Sequence, residues 1–207
     1  MSSSMRIAAV FAALVGLQAA STWAQQAPPP PPAQQAPPPP PAQQAPQNYY
    51  SSNEVLDAGH RFFGTVSRGL AQIVERAGSQ FGLPNGYILG QEGGGAFIGG
   101  LRFGEGTLYT KNAGDLRVFW QGPTVGWDFG GEGARTMMLV YGLPSTEAVY
   151  QRFVGVDGSA YVVGGLGMTV LTFSSVVVVP IRSGVGLRLG ANVGYLKFTD
   201  RPTWNPF

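Results

Sequence analysis

Four carboxylates set among glycines, Glu92, Glu105, Asp128 and Glu132, are the groups in this chain best suited to acid–base chemistry. Paired Asp and Glu side chains flanking a glycosidic bond are what sugar hydrolysis requires, so an envelope glycan hydrolase is the enzymatic alternative. The plainer role, capping turns or pairing with Arg102, Arg117 and Arg135, is the expected one. Nucleophilic chemistry has less to work with. His60 is the single histidine and cysteine is absent, which removes multi-histidine metal sites and thiol nucleophiles. Asp57 precedes His60 by three residues, and Ser67 or Ser159 are conceivable nucleophiles, yet no G-x-S-x-G elbow occurs. Neither G-x-G-x-x-G nor the Gly-Lys pair of a phosphate loop is present. The chain reads as a non-enzyme with no cofactor.

Aromatic residues are better placed for binding. Phe119–Arg135 (FWQGPTVGWDFGGEGAR) is the densest run of rings beside polar groups. Ligand pockets are typically aromatic with few polar groups, which makes Trp120, Trp127 and Phe129 the candidate ligand-binding residues. Filling the protein core is the competing use of the same rings.

These residues lie in a stretch that reads as strands divided by glycine. Strands are expected at Tyr87–Gln91, Ala96–Phe103, Gly104–Lys111, Asp115–Gln121, Val125–Phe129, Ala134–Tyr141, Ser159–Val163, Met168–Phe173, Val176–Arg182, Gly184–Ala191 and Val193–Thr199. Roughly ten or eleven short strands with close turn signals predict a small antiparallel β-barrel. Glycines inside the strands point to sharp curvature or to a helix packed on the surface. Ahead of them, apolar residues from Val55 to Phe81 fall at steps of three and four, the period of a helix with one buried stripe. One long helix over Ser52–Phe81, ended by Gly82 and Pro84, is expected, with a short second helix at Ser145–Val154. A membrane-spanning barrel is not expected: most runs are short of the ~9–11 residues needed, and Pro202 and Pro206 interrupt the last one.

The N-terminal quarter has a different character. Arg6, the apolar run Ile7–Leu17 and the small residues around Thr22 and Ala24 describe a secretory signal peptide over 1–24, with Ala20 as the alternative cut. That run is too short to span a bilayer, which takes ~20 apolar residues. From Gln25 the nine-residue unit QQAPPPPPA occurs twice and a third copy begins. Five successive prolines fix φ and remove donors, so 25–46 is expected to be an extended polyproline spacer. The folded β-barrel domain is thereby assigned to 47–207. Lys and Arg number 13 against 11 Asp and Glu, and Arg6 leaves with the signal, so the mature chain is nearly neutral. No clustered basic face marks a nucleic-acid partner.

The motifs GHRFFGTVSRGLA (59–71), PNGYILG (84–90), GAFIGGLRFGEGTLYTKNAGD (95–115), VFWQGPTVGWDFGGEGAR (118–135), VPIRSGVGLRLGANVGYLK (179–197) and TWNPF (203–207) carry a resemblance. Over Val55–Phe207 the chain resembles the alphaproteobacterial envelope integrity protein A family. The resemblance implies a soluble periplasmic barrel of about ten antiparallel strands that supports the cell envelope, with no catalytic residues to carry over. A fainter similarity around Gly90–Gly106 links it to SYLF-type lipid-binding domains. The partner expected on this basis is an envelope component: a lipid, a glycan or a protein.

Overall fold

The computed structural model describes residues 48–64, 67–95, 100–123, 134–183 and 194–205. Two helices precede the strands where a single long one was expected. The first, α1 (Ser52–Phe63), begins in a capping box. Ser51 and Glu54 bond reciprocally, the Ser51 N–H donating to Glu54 Oε2 at 2.7 Å and the Glu54 N–H to Ser51 Oγ at 3.3 Å. It ends at Gly64, whose φ of 76° is the left-handed conformation that closes helices. The second, α2 (Arg68–Phe81), starts on Ser67, whose Oγ accepts the Leu70 N–H. The apolar period runs through both because both turn their stripes to the same core, so spacing alone conceals the break. Gly59 is where they touch, since a Cβ there would stand 2.6 Å from a Leu70 methyl.

Among the described residues ten strands follow, all antiparallel: β1 (Gly86–Gly95), β2 (Leu101–Thr110), β3 (Gly114–Pro123), β4 (Ala134–Tyr141), β5 (Arg152–Gly155), β6 (Tyr161–Val163), β7 (Leu166–Met168), β8 (Leu171–Phe173), β9 (Val176–Ser183) and β10 (Tyr195–Thr199). Eight of them, in the order β4-β1-β2-β3-β10-β5-β8-β9, close on themselves through the β4–β9 pairing. The other two extend from β9, with β7 beside it and β6 beyond. Closure leaves no long unpaired edge.

Three expectations give way here. Ser145–Val154 is not a helix; it holds one 3-10 turn, Thr146–Val149, and then β5. Phe153 is buried while Val154 is exposed, a two-residue alternation that serves a strand. β2 runs unbroken through Gly104 and Gly106, which are sites of close approach and not turns. β1, β2 and β3 reach ten residues each, so shortness was a poor reason for setting aside a membrane barrel. The expected strands Val125–Phe129 and Gly184–Ala191 lie outside the described residues.

Alternation sorts two cores. Met138 and Val140 of β4 point into the barrel with Ile88, Leu108, Val118, Trp120, Phe153 and Phe198. Met137, Leu139 and Tyr141 of the same strand face outward and pack under the helices with Leu70, Ile73 and Val74. Each such side chain removed from water contributes about 1.5–3 kcal/mol. Charged side chains such as Arg117 and Glu105 stand on the uncovered outer face. Among the described residues the barrel interior is apolar apart from Glu92 and its two arginine partners, Arg102 and Arg182. Among the described residues no helix is long and apolar enough to cross a membrane.

Candidate functional site

The β1–β2–β3 sheet presents its two faces to two different polar sites. Along β1, residues 88, 90 and 92 point inward, which carries Glu92 into the barrel. Glu92 is 9% exposed and accepts from Arg182 Nε at 2.9 Å and Arg182 Nη2 at 3.3 Å. Arg102 Nη1 lies 3.9 Å away, and the Trp120 indole N–H donates to Glu92 Oε2 at 2.9 Å. Burial by itself raises the Glu92 carboxyl. The Arg182 and Arg102 charges and the hydrogen bonds from Arg182 and Trp120 outweigh it, so its pKa lies below the ordinary carboxylate value. This charged layer is tied to itself.

Trp120 occupies the space that glycines leave. A Cβ on Gly104 would stand 2.1 Å from the indole ring, and one on Gly90 would meet the ring at 2.8 Å and the Glu105 carbonyl at 2.2 Å. Gly90 and Gly104 therefore make room for one tryptophan lying against the sheet, while Gly106 admits the Leu89 carbonyl. At 1% exposure, with Phe198 at 6.1 Å between centroids, Trp120 fills the interior.

On the outer face, Gln91, Phe103, Glu105 and Phe119 stand opposite that interior. The C-terminal segment Pro202–Trp204 lies across them, leaving a groove of ≈ 320 Å³ with Gly104 and Trp120 at its floor. Contacts among the described residues hold the segment. Lys197 Nζ donates to the Asn205 carbonyl at 3.2 Å, Thr203 Oγ1 donates to Gln121 Oε1 at 3.3 Å, and the Phe103 and Trp204 rings lie 5.0 Å apart at 58°. Trp204 is 76% exposed. Glu105 is the charged residue on the lining, and Arg117 Nη2 pairs with it at 2.8 Å. A second depression of ≈ 520 Å³ beside β10 is lined by Tyr150, Arg152, Lys197 and Asp200 among others.

Of the three residues singled out in the sequence, Trp120 thus lies between interior and groove floor, while Trp127 and Phe129 are outside the described residues. So are Asp128 and Glu132. The remaining carboxylates, Glu92 and Glu105, lie on opposite faces of the sheet, where they cannot flank one bond. The serine hydroxyls are engaged locally. Ser67 caps α2, and Ser159 Oγ donates to the Val156 carbonyl at 2.6 Å and accepts the Val170 N–H at 3.0 Å. Among the described residues no three His, Asp or Glu side chains gather as metal ligands. Phe103, Gln121 and Trp204 were missed as groove residues. The alternation of DLRVFWQ, which sets Phe119 and Gln121 opposite Trp120, was the available signal.

The profile of envelope integrity protein A matches residues 48–207, the whole barrel and its helices. The chain belongs to the envelope integrity protein A family. A solved structure supports the same architecture. The crystal structure of a beta-barrel-like, uncharacterized protein from Brucella abortus is similar at 62% identity and a TM-score of 0.72. That similarity covers 77% of this chain and 99% of the Brucella chain. No curated protein matches. The family match thus covers the residues that build both the charged layer and the groove, and it stops short of the proline repeat.

Proposed function

We propose that the protein works in the periplasm as a non-enzymatic binder that supports the cell envelope, engaging a lipid, glycan or envelope protein on its outer surface. The observation that carries this reading is the packed interior. Ile88, Leu108, Val118, Met138, Phe153 and Leu196 are fully buried within the barrel, so recognition falls to the outside, where the aromatic groove lies. The leader over 1–24 supports export, and the family's name supports the envelope role. A hydrolase gains no support from Glu92, which is committed to Arg182 and Trp120.

Deleting the gene and restoring it under titratable expression tests the reading. Loss should sensitise cells to detergent and cell-wall stress, and rescue should require the leader. A stoichiometric binder rescues in proportion to its amount, whereas an enzyme rescues at trace levels. Full rescue by trace protein, or by a chain lacking the leader, would overturn the proposal.

A further inference from the structure

Gln121 holds an unfinished hydrogen-bond arrangement at the groove. Its side chain is 1% exposed, its Oε1 accepts the Thr203 hydroxyl, and its Nε2 has no partner among the described residues. A buried amide N–H left unmade carries its full desolvation cost, which a ligand acceptor would relieve. The walls add a second requirement. Phe103 and Phe119 line the groove half-buried, Phe103 against the Trp204 ring and Phe119 under the Arg117 guanidinium, and Trp204 is the ring most open to water. Flat apolar rings beside polar rim groups are best matched by a ligand with one apolar face and polar edges. The rim adds a third: Gln91 and Glu105 supply amide and carboxylate groups, and among the described residues no Lys, Arg or His lines the groove.

An acyl chain would satisfy the walls and leave the amide unmet. A phosphate headgroup would meet the amide but find the nearby Arg117 guanidinium already committed to Glu105. A pyranose ring carrying an acetamido group satisfies all three requirements. Its C–H face lies on the aromatic rings, its hydroxyls reach Gln91 and Glu105, and its acetamido carbonyl accepts from Gln121. The groove volume, ≈ 320 Å³, is at the low end of ligand sites (~300–1,000 Å³), which suits a short glycan segment. We propose that this groove binds a neutral, N-acetylated segment of an envelope glycan, with Trp204 and Phe103 as stacking platforms and Gln121 Nε2 as donor to the acetamido carbonyl. The inference rests on the binder reading above and names its ligand class.

Calorimetric titration of the full exported chain with chitotriose, maltotriose and phosphatidylglycerol vesicles tests it. Chitotriose should bind, maltotriose should bind about tenfold more weakly for want of the acetamide, and vesicles should not bind. Trp204→Ala removes an exposed ring and should leave the fold intact while weakening both sugars by about tenfold or more. Gln121→Leu should lower chitotriose to the maltotriose level and leave maltotriose unchanged; if it fails to fold, Trp204→Ala carries the test. No chitotriose binding, sugar affinities unmoved by Trp204→Ala, or capture by vesicles instead of sugar would each overturn the inference. Full envelope complementation by a folded, exported Trp204→Ala chain would sink the groove while sparing the envelope role. A deletion without an envelope phenotype would sink the parent reading.

Discussion

Glu92 on β1 and Arg182 on β9, ninety positions apart, join inside the barrel with Nε 2.9 Å from Oε1. Their strands are not neighbours. β4 lies between them and pairs with both, so the ion pair passes beneath β4 and ties β1 to β9 across the barrel's closure. With the Trp120 N–H on the second oxygen, one carboxylate gathers contacts from β3 and β9, and Arg102 of β2 stands beside it.

Glu92→Gln keeps the shape and an acceptor for Trp120 but removes the charge facing Arg182 and Arg102. Breaking a buried pair in this way costs about 3–5 kcal/mol. Urea unfolding at neutral pH should report a loss of that size. A change below about 1 kcal/mol would mean the layer is solvated enough to tolerate the loss.

The same carboxylate sets a pH dependence. Its folded pKa lies below its unfolded one, so its contribution is complete above the ordinary carboxylate range. It is lost as pH falls through the lowered folded value. The stability gap between the wild type and Glu92→Gln should therefore be constant near neutrality and narrow below roughly pH 4. Urea midpoints for both proteins across that range check it, and a gap that widened with acid would reverse the assignment.

Gly104→Ala places a methyl carbon where the rigid Trp120 ring already lies, 2.1 Å away. Overpacking of this kind costs about 1–3 kcal/mol or more, and a ring wedged against two strands has little room to yield. Adding Trp120→Phe should recover part of the loss, a coupling that a double-mutant cycle reads directly. Strict additivity would mean that the ring and Gly104 do not meet.

Export makes a prediction of its own. Mass spectrometry of protein from the native envelope should find an N-terminus at Gln25 or Ser21, after Ala24 or Ala20. Intact Met1 or Met5 in the cytoplasm would contradict it.

Local signals in the sequence were enough for a small antiparallel barrel behind helical turns. Period-two runs and glycine turns are short-range features, and Ala134–Tyr141 was legible to the residue because its apolar run ends sharply at Gly142. The capping box of Ser51 and Glu54 is likewise local chemistry, set by two residues three apart at the helix start. The helix break at Gly64 was not legible, because two helices packed on one core share one apolar period. Nor was the meaning of Gly90 and Gly104, since a glycine's purpose is whatever approaches it, and Trp120 approaches from another strand. Trp120 stood out by its type alone. Its partners Glu92 and Phe198, and the groove that joins Phe103 and Gln121 to Trp204, exist only once barrel closure and the C-terminal segment bring distant residues together. Composition and period are properties of neighbours in the chain, and sites are properties of neighbours in space.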